Sequence, residues 1–122
     1  MQTEQWTEQV MRQIDQAAML YHRLILVVAP SGAGKTTVLQ EVAKRTGFRY
    51  INVNLELSRQ LLEFTERRRS LQVSRVLSDI VGKDNEQAVL IDNTEVLIDV
   101  SLKHDPLRCL QGLSRRRTVV AA

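Results

Sequence analysis

Residues 29–36 read Ala-Pro-Ser-Gly-Ala-Gly-Lys-Thr, and this stretch decides the fold. It follows the apolar run 24–28 (Leu-Ile-Leu-Val-Val), which is too short for a helix and suits a buried strand. After it, residues 35–45 space their apolar side chains as a helix does, and Gly47 is placed to end that helix with a left-handed cap. The sequence therefore predicts a strand, a glycine-rich turn and a helix in succession.

The turn has the residue types that a loop around phosphate groups requires. The full pattern is G-x-x-x-x-G-K-[ST], and here Ala29 replaces the first glycine. Gly32 and Gly34 permit positive φ, so that backbone N–H groups can close around phosphate oxygens at the positive end of the next helix. The predicted nucleotide-binding residues are Ser31, Gly32, Ala33, Gly34, Lys35, Thr36 and Thr37.

Three side chains of this turn have distinct predicted roles. Lys35 can reach the β- and γ-phosphates, where its charge also makes it a catalytic candidate. Thr36 is predicted to ligate Mg²⁺, and Thr37 to lie near the α-phosphate. The sequence thus predicts ATP and Mg²⁺ as ligands. A glycine turn made only for tight packing is the alternative, and the Lys-Thr pair argues against it.

A second apolar run, residues 88–91, ends at the carboxylate of Asp92. Ligands gather at the carboxyl ends of parallel strands, so Asp92 is predicted beside Thr36 as the second metal-binding side chain. ATPases of this broad kind commonly have a glutamate next, whereas this chain has Asn93, which can orient a water but is a poor base. Glu95 is the nearest carboxylate, and we treat Asn93 and Glu95 as catalytic candidates. A first-turn helix carboxylate is the alternative interpretation of Glu95.

The remaining segments alternate between helical and strand patterns. Helices are predicted over residues 3–23, 35–45 and 106–113, with two helices, or one broken near 70–72, over residues 56–81. Strands are predicted over 24–28, 48–55, 88–92 and 118–122. Apolar strands alternating with helices predict an α/β, three-layer sandwich with a parallel sheet of about four strands. We expect one P-loop nucleotide-binding domain over residues 1–122, with an N-terminal amphipathic helix in 1–23 and β-α repeats in 24–122.

The composition narrows the class of protein. With 122 residues, 43% of them apolar, the chain fits one globular domain and excludes a collagen-like or wholly disordered chain. Its longest apolar run is much shorter than the ~20 residues that span a bilayer. Cys109 is the single cysteine, so no internal disulfide can form. We therefore expect a cytoplasmic protein without membrane contact.

Two arginine runs, residues 67–69 and 115–117, stand out in a chain of net charge +3. A solvated surface is the simplest interpretation of each. The first run lies on a predicted helix and is suited to a DNA backbone. The second run precedes the last predicted strand. If copies of the chain meet there, one of its arginines (Arg115, Arg116 or Arg117) is suited to contact the γ-phosphate bound by the neighbouring copy. Both DNA and a homo-oligomer remain open as partners.

Residues 29–37 together with 88–92 resemble the P-loop NTPase superfamily, and the β-α order is similar to its AAA+/ASCE branch. A narrower resemblance covers nearly the whole chain: residues 51–58, 90–97 and 101–108 resemble the BrxF family of small P-loop proteins of BREX phage-defence systems. That resemblance implies a cytoplasmic ATP-binding component of a multi-protein complex, with other defence-system proteins as partners.

Three functions from different classes remain open. The first is an ATP-binding, Mg²⁺-dependent ATPase whose turnover is slow or needs a partner. The second is a small-molecule kinase, although Asn52 and Asn54 occupy the positions where a carboxylate would activate an acceptor. The third is a nucleotide-gated interaction module without hydrolysis, which Asn93 favours.

Overall fold

The computed structural model describes residues 2–30, 32–82, 86–98 and 105–122. Its helices are α1 (Gln2–Ala17), α2 (Lys35–Thr46), α3 (Val53–Leu61), α4 (Glu66–Val81) and α5 (Pro106–Leu113); its strands are β1 (Leu24–Leu26), β2 (Arg49–Asn52), β3 (Ala88–Asp92) and β4 (Thr118–Ala121). A 3₁₀ turn (Thr94–Ile98) follows β3.

The four strands form one parallel sheet in the order β1-β4-β3-β2. The central strands β3 and β4 are buried along their whole length, as their continuous apolar sequences require. In the register, Tyr50 lies opposite Leu90 and Asn52 opposite Asp92. The carboxyl ends of β2 and β3 therefore coincide at one edge of the sheet.

Helices cover both faces of this sheet. On the face covered by α1 and α2, the buried apolar residues include Val10, Ile14, Val38, Leu39, Val42, Leu90 and Val120. On the face covered by α3, α4 and α5, they include Val53, Leu57, Val73, Leu77, Leu110, Val89 and Ile91. Successive residues of β3 alternate between the two clusters, as a pleated strand dictates. The predicted α/β three-layer sandwich is confirmed.

Helix α1 is shorter than predicted and ends at Ala17 rather than near residue 23. Val10, Ile14 and Ala17 are buried as its spacing predicts, but Tyr21 is 74% exposed. The chain has to turn there, because the Arg23 N–H donates to the Ser114 carbonyl and brings the chain into β1. Pairing with a distant segment thus overrides the local helical pattern.

The strand predicted over residues 48–55 is wrong in its second half, because α3 begins at Val53. The Asn52 side chain accepts a hydrogen bond from the Leu55 N–H and caps the helix. Val53, Leu57 and Leu61 are buried at four-residue spacing, which is the helical signal that the strand prediction overlooked.

The segment 56–81 belongs to two helices, α3 and α4, as one of the two predicted alternatives has it, and they are separated at residues 62–65 rather than near 70–72. The Thr65 hydroxyl accepts a hydrogen bond from the Arg68 N–H and starts α4. Gly47 has φ +78° and ends α2 as predicted. Within the described ranges, none of the helices combines the length and the apolar character that a bilayer crossing requires.

A substitution at Leu57 tests the packing of this fold. The Leu57 side chain is fully buried in the α3–α5 cluster, so Leu57→Ala is expected to lower the free energy of unfolding by about 2–5 kcal/mol. Leu62→Ala, at a site that is 73% exposed, is the matched control, and a change of under about 1 kcal/mol is expected there. Urea denaturation followed by circular dichroism measures both; equal effects would contradict the packing described.

Candidate nucleotide-binding site

The glycine-rich loop has a backbone that its two glycines make possible. Gly32 has φ +84° and Gly34 has φ +99°, and nothing lies within 4 Å of a Cβ built on either. Glycine is therefore required by the left-handed backbone and not by crowding. The Ala33 N–H donates to the Pro30 carbonyl (3.1 Å), which closes the turn before α2. Ser31 lies outside the described residues.

The loop leads directly into the amino terminus of α2. Gly34 occupies the cap position, and it has no side chain with which to satisfy the first N–H groups of the helix. Lys35 is half-buried, whereas Thr36 and Thr37 are exposed. Unsatisfied N–H groups, the helix dipole and the nearby lysine together favour an anion at this end of α2.

Asp92 lies at the carboxyl end of β3, next to the first turn of α2. The Thr36 hydroxyl donates a 2.6 Å hydrogen bond to Oδ2 of Asp92, across 56 positions of sequence. Asp92 is only 2% exposed, although it is a carboxylate, because it ends an internal strand of the sheet. The structure thus brings together the two side chains that the sequence assigns to the metal.

Tyr50 is a member of this site that the sequence analysis missed. Its hydroxyl donates a 2.6 Å hydrogen bond to the same Oδ2 of Asp92. Burial, together with this hydrogen bond and the Asp92 charge, raises the pKa of Tyr50 well above its usual value, so Tyr50 stays protonated and remains a donor. The local sequence holds no signal for it, because Tyr50 shares a face with Asp92 only through the strand pairing, in which Tyr50 lies opposite Leu90, two residues before Asp92.

The second carboxylate oxygen of Asp92 is engaged by the backbone that follows. The Asn93 N–H donates to Oδ1 at 2.8 Å, and Asn93 has φ +59°, in the left-handed region. Glu95 lies in the 3₁₀ turn and is exposed. In the described part of the chain, no hydrogen bond joins Glu95 to Asp92 or Thr36. The structure therefore brings the Asn93 N–H to the site, whereas Glu95 is an exposed residue of the 3₁₀ turn that follows.

The donor set fits Mg²⁺. Hydroxyl and carboxylate oxygens are ligands that Mg²⁺ prefers, and it is usually held by one or two carboxylates together with substrate phosphates and waters. Thr36 gives its single proton to Asp92, so the lone pairs of its oxygen remain available to a cation. Across the described ranges, His, Cys, Asp and Glu form no cluster of three or more, and Asp92 is the carboxylate that accepts from Thr36.

The two arginine runs are not simply solvated surfaces. Nε of Arg69 donates to the carbonyls of Leu61 and Phe64 at 3.0 and 3.1 Å, at the end of α3. Arg117 is 4% exposed and lies just before β4, at the edge of the sheet opposite the glycine-rich loop. The interpretation of each whole run as a solvated surface is wrong for these two residues.

The role of Tyr50 is testable by removing only its hydroxyl. Tyr50→Phe leaves Asp92 one hydrogen bond short, and hydrogen bonds to charged groups contribute about 1.5–3 kcal/mol. We expect ATP binding in the presence of Mg²⁺ to weaken by roughly tenfold, while binding without Mg²⁺ changes little. Titration calorimetry with and without Mg²⁺ measures this. Tyr21→Phe, at an exposed position, is the control, and equal weakening under both conditions would contradict a role through Asp92.

Comparison with known families adds an independent observation to this geometry. No curated protein and no solved structure matches the chain significantly. A family model described as the Rad17 P-loop domain matches residues 4–101, which include most of α1, the glycine-rich loop, β3 and Asp92. The match covers well over half of the chain, and the protein therefore belongs to the Rad17 P-loop domain family.

Proposed function

We propose that this protein binds ATP together with Mg²⁺ at residues 31–37 and Asp92, and hydrolyses it slowly or only with a partner. The observation that carries the proposal is the 2.6 Å hydrogen bond from Thr36 to Asp92, at the uncapped amino terminus of α2. Membership of a P-loop domain family supports nucleotide binding independently of that distance.

Each group of the site has a distinct task in this proposal. Backbone N–H groups at the start of α2 bind phosphate oxygens, and the Lys35 ammonium adds a point charge at the β- and γ-phosphates. Thr36 and Asp92 would hold Mg²⁺, with Tyr50 and the Asn93 N–H fixing the carboxylate. When bound, Mg²⁺ supplies positive charge that neutralises the phosphate oxygens during displacement.

Slow hydrolysis follows from what stands next to Asp92. The position directly after it holds Asn93, whose amide side chain can orient a water but cannot accept its proton. Glu95 is the nearest carboxylate along the chain, and its exposure leaves it free to turn toward a bound nucleotide. We propose Glu95 as the base, working without the fixed geometry that a buried carboxylate would have.

Glu95→Gln tests that assignment. General bases contribute about 10²–10⁴-fold, so kcat for phosphate release is expected to fall by roughly 100-fold while ATP affinity is retained. The matched control is Glu63→Gln, which neutralises an exposed glutamate in the turn between α3 and α4. A steady-state phosphate-release assay with ATP, with and without DNA, measures both variants. If the two lose equal activity, Glu95 is not the base.

A small-molecule kinase is the second candidate, and the structure weighs against it. The Asn52 side chain accepts from the Leu55 N–H, and Asn54 Oδ1 accepts from the Ser58 hydroxyl at 3.3 Å. Both amides are thus used by the first turns of α3. Release of inorganic phosphate from ATP without any acceptor would separate hydrolysis from phosphoryl transfer, and tight binding without release would indicate a nucleotide-gated module.

At the level of the cell, we propose a cytoplasmic component of a multi-protein phage-defence complex of the BREX type. The resemblance of residues 51–58 and 90–97 to small proteins of those systems supports this role. In a host that carries such a system, deleting the gene should raise phage plating efficiency, and the intact protein should restore protection. Protection that does not depend on the gene would contradict the role.

A further inference from the structure

The edge of the sheet opposite the glycine-rich loop contains a cavity of about 380 Å³. Its walls are the end of α4, the end of α5 and the segment before β4, and its lining includes Ser78, Arg115, Arg116 and Arg117. Because β4 runs parallel to β1, this cavity lies at the amino ends of the strands, whereas the glycine-rich loop follows the carboxyl end of β1. The cavity and the glycine-rich loop therefore lie at opposite ends of the strands.

We propose that this cavity, named here the arginine cavity, binds a phosphate group. Three arginines line it, and none of the described residues that line it is a carboxylate. Arginine is the residue best matched to phosphate, since its planar guanidinium donates two parallel hydrogen bonds. The volume falls within the range of ligand sites, about 300–1,000 Å³, so a phosphate and part of the molecule that carries it fit.

Arg117 is the group that distinguishes the cavity from an ordinary basic surface. Its side chain is 4% exposed, and Nη1 donates to the Val81 carbonyl at the end of α4 (3.2 Å). Nε of Arg117 is buried, and no acceptor among the described residues meets it. A buried charged group with a donor to spare is rare without a partner, and the arginine to which this donor belongs lines the cavity.

Glu86, a described carboxylate that follows α4 in the chain, is already paired. Glu86 pairs with Arg49, whose Nε lies 3.2 Å from Oε1 of Glu86, and Arg49 also donates to the Val81 carbonyl. Among the described residues, Arg117 forms no ion pair. Its contact with partial negative charge is the Val81 carbonyl at the end of α4, which accepts from its Nη1. In the part of the chain that the structure describes, none of the three lining arginines forms an ion pair.

The segment that holds the arginines is fixed before any ligand arrives. The Arg115 guanidinium lies over the Tyr21 ring, 5.6 Å from its centroid, and the Arg115 carbonyl accepts from Nη2 of Arg23 at 2.6 Å. The Ser114 carbonyl accepts from the Arg23 N–H, and the Arg23 carbonyl accepts from the Val119 N–H. Such anchoring lowers the ordering cost of binding.

Titration of the Lys35→Ala protein tests this proposal separately from the nucleotide site. In that background the glycine-rich loop has lost its lysine, and inorganic phosphate is added while backbone amides are followed by NMR. We expect saturable shifts at Ser78, Gly82 and Gly112. Arg116→Gln, at an exposed lining residue, is expected to weaken this binding by about tenfold, as loss of a charged hydrogen-bonding partner does. Arg12→Gln, which removes the same charge from α1, should leave it unchanged.

A second titration, with a short single-stranded oligodeoxynucleotide, distinguishes the source of the phosphate. Tighter binding than inorganic phosphate, weakened by Arg116→Gln and by added salt, would identify a nucleic-acid backbone. Phosphate binding with no oligonucleotide binding would identify a small phosphorylated molecule. Absence of saturable shifts at the arginine cavity, or equal loss in Arg116→Gln and Arg12→Gln, would overturn the proposal. Neither of these results bears on the proposed nucleotide site, because both titrations use the Lys35→Ala protein, whose glycine-rich loop already lacks its lysine.

Discussion

Lys35→Ala is expected to weaken ATP binding by roughly 100-fold, because a hydrogen-bonded charge at the phosphates is worth about 1.5–3 kcal/mol. The half-buried Lys35 side chain belongs to neither core cluster, so its removal should cost little stability. We expect the free energy of unfolding to change by less than about 1 kcal/mol. Titration calorimetry with ATP and Mg²⁺, alongside urea denaturation, measures both quantities.

The matched control for this substitution is Lys44→Ala, in the last turn of the same helix. It removes the same charge from an exposed position far from the amino end of α2. ATP affinity is expected to be unchanged in the control. If Lys35→Ala and Lys44→Ala bind ATP equally well, the lysine does not contact phosphate, and the assignment of the loop fails.

Asp92→Asn is expected to remove the enhancement of ATP binding by Mg²⁺. The substitution keeps the shape of the side chain but removes the negative charge that would hold the cation beside Thr36. ATP affinity in saturating Mg²⁺ should fall by about 100-fold, toward the value measured without Mg²⁺, and the metal-free affinity should stay nearly constant. Calorimetric titrations at several Mg²⁺ concentrations measure the difference.

Asp15→Asn, on the exposed side of α1, is the control for the loss of one negative charge. Its ATP affinity is expected to respond to Mg²⁺ as the unmodified protein does. Persistence of the full Mg²⁺ response in Asp92→Asn would contradict the metal assignment, whatever the effect on stability. A folded protein is verified in each case by its circular dichroism spectrum.

Much of the sheet and the loop could be predicted from local sequence. A run of apolar residues that ends at Asp92 predicts a buried strand, and the glycines at 32 and 34 predict the turn, because both depend on nearest neighbours. The hydrogen bond of Tyr50 could not be predicted in the same way. It depends on which strand lies beside β3, and that information comes from the sheet order.

The errors have the same physical origin. Helix α1 stops at Ala17 because Arg23 pairs with Ser114, and a residue so distant leaves no trace in the local pattern. The sequence indicates surface charges at Arg69 and Arg117. In the structure, both side chains donate hydrogen bonds to backbone carbonyls near the ends of α3 and α4. Satisfying orphan carbonyls with a side chain from another element is a tertiary interaction.

The most direct test of the nucleotide site is an amide NMR titration of the intact protein with a non-hydrolysable ATP analogue and Mg²⁺. The largest shifts are predicted at residues 32–37 and at Asn93, and in Lys35→Ala they should require roughly 100-fold more analogue. If these amides stay unmoved while the analogue shifts residues elsewhere in the fold, the triphosphate does not bind at the glycine-rich loop.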